Sequence, residues 1–262
     1  MEREHQEQVL LQTEQLCKSF GGVQAVYDVT FSVYSGQIKG VIGPNGAGKT
    51  TLFNLFTGVY PADKGKVYFC GRSLEGLAPY KVAEYGIART FQNVELFEHM
   101  SVLENVMVGL HPRTRVGFLG AAFRLPSARR EEKHIRQQAL EILEFIKLAE
   151  KADLASGSLP FGLQRKLEIA RALAVGPKLL LLDEPASGLN AAETADLGRL
   201  LLRIRQRGIT ILLVEHDMSL TMDICDEIMV MDYGRKLAEG SPREIQQHPE
   251  VIAAYLGEEP VA

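Results

Sequence analysis

Runs of apolar residues along the chain predict two kinds of β-strand. Near the N-terminus, apolar and polar residues alternate over 8–16 and 26–34, with two glycines between them, and GKVYFCG at 65–71 resembles another strand. Such alternation is typical of strands with one buried face, so these segments predict a partly antiparallel sheet. Four later runs are short and fully apolar, which predicts a parallel sheet buried on both faces. These runs are IKGVIG, KLLLLD, TILLVE and EIMVMD, beginning at residues 38, 178, 210 and 227.

A long excursion separates the first two apolar strands and predicts an inserted helical subdomain. Its second half places apolar residues on one helical face and charged residues on the other. The apolar residues are Ile135, Ala139, Ile142, Leu143 and Ile146. The segment 111–130 has no clear period and is interpreted as a loop with short helical turns. We expect an α/β core from 1–92 and 176–262, and a helical subdomain from 93–175.

Composition and charge place few limits on the partners of the chain. Its 262 residues are 46% hydrophobic and 24% charged, and the net charge of −4 gives no general attraction to nucleic acid or anionic lipid. Three scattered cysteines indicate reduced thiols in a cytoplasmic compartment. The segment MEREHQEQ lacks the apolar core of a signal peptide. No apolar run approaches the roughly 20 residues that cross a bilayer.

The segment GPNGAGKTT, at 43–51, follows an apolar strand and begins a predicted helix. It matches G-x-x-x-x-G-K-[ST] in the strand–loop–helix context that this pattern requires. Glycines let backbone N–H groups point at phosphate oxygens, Lys49 adds a positive charge, and Thr50 offers a hydroxyl to Mg²⁺. The loop predicts nucleoside triphosphate binding but does not separate an ATPase from a GTPase or a kinase. The residues assigned to the nucleotide are Gly43, Pro44, Asn45, Gly46, Ala47, Gly48, Lys49, Thr50 and Thr51.

Polar side chains follow two of the apolar strands at the predicted carboxyl edge of the parallel sheet, where ligands bind in such folds. Asp183 suits Mg²⁺, and Glu184 is the candidate to orient or deprotonate an attacking water. His216 follows the next strand and is a candidate to position the γ-phosphate. Gln92, in RTFQNVELF, is a candidate contact to the metal or the water, although a solvated loop glutamine explains it nearly as well.

Together these residues resemble the nucleotide-binding subunits of ABC transporters, over nearly the whole chain. The resemblance implies a P-loop ABC ATPase fold that uses ATP and Mg²⁺. It also implies that Phe20, in KSFGG, stacks on adenine and that Val26 packs nearby. The other motifs correspond to Walker A at 43–50, the Q-loop at Gln92, Walker B with its catalytic glutamate at 179–184, and the switch histidine at His216.

The segment LPFGLQRKLEIARAL, at 159–173, falls where that family has its signature motif. In the family this motif binds the γ-phosphate of ATP held by the other subunit, which implies that the backbone at Phe161, Gly162 and Leu163 binds ATP in trans. Each chain would carry both halves of the site, so a head-to-tail two-fold dimer follows. Pro160 stands where the family commonly has Ser, which predicts weakened ATP-driven closure, and Asn190 stands where many members have Asp.

A narrower resemblance links the chain to the ATPases of bacterial branched-chain amino acid importers. It is carried by FGGVQAV, RTFQNVELF, the segment 111–130, ASGLN and HPEVIAAYLG. It implies a peripheral subunit on the cytoplasmic face of the inner or plasma membrane, paired with itself or with a paralogous ATPase. Two integral-membrane permeases would contact the groove from Gln92 to Met100, with no contact to the transported substrate or to nucleic acid. The alternative is a soluble ABC-type ATPase acting on protein or nucleic-acid partners.

Overall fold

The chain folds into two units, and one of them contains both β-sheets. The computed structural model describes residues 8–90, 95–111, 126–216 and 218–256, with the backbone alone for 126–129 and 256. One unit comprises the described residues up to Arg89 and from Lys178 onward, and it holds both sheets. The other comprises the described residues of 90–177 and is mainly helical.

The strands of the first unit follow the apolar pattern of the sequence. In the described residues they are β1 Val9–Phe20, β2 Val23–Tyr34, β3 Ile38–Ile42, β4 Lys64–Phe69, β5 Arg72–Ser73, β6 Ile87–Arg89, β7 Leu179–Asp183, β8 Thr210–Val214, β9 Glu227–Asp232 and β10 Arg235–Gly240. One sheet is antiparallel, with the order β2-β1-β4-β5, and Phe20 pairs with Val23 across the β1–β2 turn. This confirms the predicted N-terminal antiparallel sheet.

The second sheet has the order β10-β9-β3-β8-β7-β6 and is parallel except for β10. Every residue of β3, β7 and β8 is buried, as their mainly apolar sequences predict, and this includes Lys39 in β3 and Asp183 in β7. The parallel register brings the carboxyl ends of β3, β7 and β8 to the same edge of the sheet. The predicted phosphate loop, the acidic pair and His216 all follow these three ends.

Four helices of the first unit begin with a proline or with a polar N-cap residue. They are α1 Lys49–Phe56, α2 Pro79–Tyr85, α6 Ala191–Gln206, α7 Met218–Ile224, α8 Pro242–Gln247 and α9 Pro249–Leu256, and those of the second unit are α3 Val102–Leu110, α4 Pro126–Phe145 and α5 Phe161–Ala174. Asn190 caps α6, because its Oδ1 accepts the N–H groups of Ala192 and Glu193 at 3.0 Å each. The asparagine therefore has a structural role at this position.

In the second unit α3 packs against α4 and α5. Ala139, Leu143 and Ile146 are buried, as the helical spacing predicts. The loop expected over 111–130 requires a correction, because α4 begins at Pro126, and proline is favoured in the first turn of a helix. Residues 112–125 lie outside the described part of the chain. No helix within the described residues is long and apolar enough to cross a bilayer.

Candidate functional site

A glycine-rich loop joins the carboxyl end of β3 to the start of α1. Gly43 and Gly48 have φ angles of +151° and +99°, values that residues with a side chain rarely adopt. A Cβ at either position would lie 2.1 Å from a carbonyl oxygen, that of Met231 beside Gly43 and that of Ala25 beside Gly48. The loop backbone is thus packed closely against two neighbouring segments, and this requires glycine at both positions.

Lys49, the first residue of α1, folds back over this loop. It is 6% exposed, and its Nζ donates to the carbonyl oxygens of Gly43 at 2.6 Å and Pro44 at 2.9 Å. The ammonium is therefore held at the loop beside the positive end of the helix dipole, an arrangement that suits a phosphate group. Of the remaining loop residues, Asn45, Gly46 and Thr50 are exposed, Thr51 is half-buried and Ala47 is buried.

Asp183 ends β7 and is 2% exposed. Its Oδ2 accepts a hydrogen bond from Nη2 of Arg89 at 2.8 Å, and Nη1 of Arg89 donates to Oδ1 of Asn54 at 2.6 Å. Within the described residues, Oδ1 of Asp183 has no hydrogen-bond partner. A buried carboxylate oxygen in that state is unfavourable, and a hard cation or a cation-bound water relieves it. Asp183 therefore fits the predicted Mg²⁺ site, with Arg89 as a neighbour that the sequence did not reveal.

Glu184 and His216 meet at the ends of β7 and β8. Oε1 of Glu184 lies 2.8 Å from Nε2 of His216, and the N–H of Glu184 donates to Val214 O at 2.8 Å. Glu184 has a φ of 48°, which is uncommon for a residue other than glycine. Its side chain is 14% exposed and that of His216 is 41% exposed. A solvent-accessible carboxylate–imidazole pair is suited to orienting a water and moving its proton.

Glu215, between β8 and His216, is a site residue that sequence reasoning missed. It is 2% exposed, and its Oε1 accepts the N–H of Ala186 at 2.6 Å while its Oε2 accepts the N–H of His216 at 3.1 Å. The glutamate therefore joins the segment that follows Glu184 to the segment that carries His216. A carboxylate placed directly between an apolar strand and the candidate histidine was the available signal.

Phe20, at the end of β1, is 43% exposed. Tyr60 packs against it edge-on with 5.1 Å between ring centroids, and Lys18 Nζ lies 5.5 Å from the Phe20 centroid. The prediction for Val26 is wrong, because this side chain is fully buried in the core and is not accessible to a nucleotide. Successive side chains of a strand point to opposite faces, and Val26 lies on the inward face of β2. Val23, opposite Phe20 in the hairpin, is 68% exposed instead.

The predicted signature turn lies in the second unit, at the start of α5. Phe161 is 45% exposed, Gly162 is buried and Leu163 is half-buried. The N–H of Leu163 donates to Pro160 O at 2.9 Å, so this group is engaged within the turn. Of the three backbone N–H groups predicted to bind ATP held by a second subunit, those of Phe161 and Gly162 are therefore the better candidates. Gln92 lies outside the described residues, so the structure gives no position for this candidate.

A phosphate loop, a buried aspartate and a glutamate–histidine pair at one edge of a parallel sheet define a P-loop nucleoside triphosphatase. Comparison with known proteins identifies the family. The family model described as "ABC transporter" matches residues 26–187, and one described as "Branched-chain amino acid ATP-binding cassette transporter" matches residues 235–261. The chain belongs to the ABC transporter family and is an ATP-binding, ATP-hydrolysing cassette.

Full-length relatives and solved structures agree with this family. The chain is 44% identical to the high-affinity branched-chain amino acid transport ATP-binding protein BraF of Pseudomonas aeruginosa, covering 95% of this chain and 98% of BraF. It is also 44% identical to LivG of Escherichia coli, a protein of the same description, covering 96% of this chain and 99% of LivG. The ADP conformation of MJ1267, an ATP-binding cassette of an ABC transporter, matches with a TM-score of 0.84 and 35% identity, covering 95% of this chain and 99% of MJ1267.

Proposed function

We propose that this chain is the ATP-hydrolysing subunit of an importer for branched-chain amino acids. The observation that carries the proposal is its 44% identity, over nearly the full length of both chains, to two proteins described as branched-chain amino acid transport ATP-binding proteins. The match of residues 235–261 to a branched-chain amino acid cassette model adds support outside the phosphate loop. These similarities do not favour the alternative of a soluble ATPase acting on protein or nucleic acid.

In this proposal the phosphate loop and Lys49 bind the triphosphate, while Phe20 stacks on the adenine ring. Thr50, Gln92 and Asp183 would hold Mg²⁺, which would supply positive charge against the phosphate groups. Glu184 orients the attacking water and accepts its proton. His216 keeps Glu184 and the γ-phosphate correctly positioned relative to each other. The contact of 2.8 Å between Glu184 and His216 supports this division of roles.

A second ATPase subunit, identical or paralogous, completes the site in trans. The start of α5 would present the N–H groups of Phe161 and Gly162 to the γ-phosphate bound by the partner, aided by the positive end of the helix dipole. Within the described residues neither N–H has an acceptor in its own chain. Two copies arranged head to tail would enclose two ATP molecules between them.

The proposed partners on the membrane side are two integral-membrane permeases, with this subunit at the cytoplasmic face. In the second unit Phe97 and Met100 are large apolar residues that are 48% and 39% exposed, and they lie in the segment assigned to the permeases. An exposed apolar pair of this kind suits the docking of a short permease helix. The transported amino acid would not contact this chain.

Replacing the catalytic carboxylate tests the proposed mechanism. We expect Glu184→Gln to abolish turnover while ATP still binds, so that a nucleotide-filled dimer accumulates on size-exclusion chromatography with ATP and Mg²⁺. Glu144→Gln, on an exposed position of α4, is the matched control and should leave turnover unchanged. A Glu184→Gln protein that stays monomeric or keeps its turnover would show that Glu184 has been given the wrong role. Uptake of labelled Leu, Ile and Val by cells lacking this chain tests the substrate class separately.

A further inference from the structure

The last residue of β8 and the two residues after it make three contacts with the segment 184–187. Val214 O accepts the N–H of Glu184 at 2.8 Å, and Oε1 of Glu215 accepts the N–H of Ala186 at 2.6 Å. The third contact is between His216 Nε2 and Glu184 Oε1 at 2.8 Å. The first two contacts hold the backbone at Glu184 and at Ala186. The third contact joins the two side chains to which the proposed function assigns the chemistry. Glu215 stands at the middle of this arrangement.

The chemistry of Glu215 suits this position. Its two oxygens accept two different backbone N–H groups, those of Ala186 and His216, from segments that are 30 residues apart in sequence. An ionised carboxylate accepts at both oxygens, whereas an amide of the same shape has one oxygen and one NH₂ group that would face an N–H donor. Hydrogen bonds to an ionised group are also shorter and stronger than neutral ones. The site therefore selects a carboxylate and not only a side chain of this size.

We propose that Glu215 is a positioning residue for ATP hydrolysis, holding the segment of Glu184 and the segment of His216 in register. This inference rests on the proposed roles of Glu184 and His216. Glu215 is buried and its two oxygens accept backbone N–H groups of the protein, so in this proposal it contributes through the other two residues and not by contact with the nucleotide. It should affect the chemical step, and it should leave ATP binding at the phosphate loop intact because that loop follows a different strand, β3.

The test is the Glu215→Gln protein, assayed for steady-state turnover and for affinity to a fluorescent ATP analogue. The substitution removes one charge-assisted hydrogen bond and places the NH₂ group of the amide opposite a backbone N–H donor. It should therefore lower kcat roughly 10- to 100-fold and leave the affinity for the analogue within about two-fold of the wild type. Glu227→Gln is the matched control: this carboxylate begins β9 at the opposite edge of the same sheet and binds Lys39. The control should keep the wild-type kcat. Wild-type kcat in Glu215→Gln, or a parallel loss of analogue affinity, would overturn the inference.

A double-mutant cycle separates positioning from a general loss of stability. If Glu215 acts through His216 and Glu184, then adding Glu215→Gln to His216→Ala should lower kcat little beyond His216→Ala alone. Fully additive losses would point to an independent structural role and contradict the inference. If Glu184→Gln and His216→Ala both retain turnover, the proposed function fails. If they lose turnover while Glu215→Gln does not, the inference alone fails.

A measurement on the wild-type protein covers the case in which Glu215→Gln does not fold. The short hydrogen bond from Ala186 N–H to a carboxylate should shift that amide proton downfield and protect it from solvent exchange. NMR of the full chain with isotope-labelled alanine reports both properties. An Ala186 amide that exchanges as fast as the exposed amides of the loops would refute the arrangement.

Discussion

At the scale of single residues, the shape of the phosphate loop depends on where a Cβ can be tolerated. A Cβ at Gly48 would lie 2.1 Å from Ala25 O, whereas one at Gly46 has no heavy atom within 4 Å, although both have positive φ. We expect Gly46→Ala to lower the free energy of unfolding by about 1 kcal/mol, which reflects backbone strain alone. Gly48→Ala should lose clearly more, about 2 kcal/mol or above, because the neighbouring backbone must also move. Denaturant unfolding of both proteins measures the difference, and equal losses would contradict the close packing.

The positions of single candidate residues are predictable from sequence where these residues lie at or directly after the end of a strand. The phosphate loop, Asp183 and His216 could be placed together because the carboxyl ends of parallel strands share one edge. Arg89 could not, because it ends β6, a strand of three residues without a recognisable pattern, so nothing in the sequence places it beside Asp183. Val26 was assigned wrongly because the family resemblance supplied its role, while the alternation of β2 turns its side chain inward.

At the scale of elements, a buried lysine on one strand of the first unit contacts three other strands. Lys39, on β3, is 1% exposed and donates to Ser32 O of β2 at 2.7 Å, and it also pairs with Glu227 of β9 and Glu239 of β10. We expect Lys39→Met to lower the free energy of unfolding by about 3 kcal/mol, because two partly buried carboxylates lose the ammonium of Lys39 and Glu239 keeps only that of Lys236. The control is Lys81→Met, which breaks an exposed pair on α2 and should change little.

The effect of Lys39→Met should depend on pH. Burial raises the pKa of Glu239, but hydrogen bonds from Lys236 and Lys39 outweigh burial and hold this pKa below the usual 4.5. Because the folded pKa lies below the unfolded one, stabilisation by the ionised carboxylate is complete above about pH 4.5 and is lost as the pH falls through the folded pKa. Unfolding curves should therefore show a constant deficit near neutral pH that shrinks in acid. A deficit that grows on acidification would contradict the pairing.

Strands were predictable from sequence where they form a clear run of apolar residues. The central strands β3, β7 and β8 are mainly apolar runs and were evident. Strand β6 has only three residues, and β10 is a polar edge strand of sequence RKLAEG, so neither has a periodicity that could identify it. Both strands form because the sheet supplies hydrogen-bond partners, which is information from tertiary structure.

At the scale of the whole molecule, the proposed dimer makes ATP turnover depend on a closed assembly and not on one chain. Pro160 is the N-cap of α5 and makes no side-chain hydrogen bond to that helix. A serine at this position would offer a hydroxyl either to the N-terminus of α5 or to the γ-phosphate bound by the proposed partner. These two effects differ in where they act, since the first stabilises a single chain and the second stabilises the closed dimer.

We therefore expect Pro160→Ser to raise ATP turnover and to strengthen ATP-driven dimer closure by roughly 1–3 kcal/mol. Sedimentation of the Glu184→Gln protein, with and without Pro160→Ser, measures closure at a range of ATP concentrations. Ala78→Ser is the matched control, because Ala78 is also an N-cap without a side-chain hydrogen bond, at the start of α2. Both serines should stabilise their own helix against denaturant by about 1 kcal/mol, but only Pro160→Ser should shift dimerisation. If Pro160→Ser leaves dimerisation and turnover unchanged or lowers them, then the start of α5 does not bind the partner's nucleotide in the way that the proposed dimer requires.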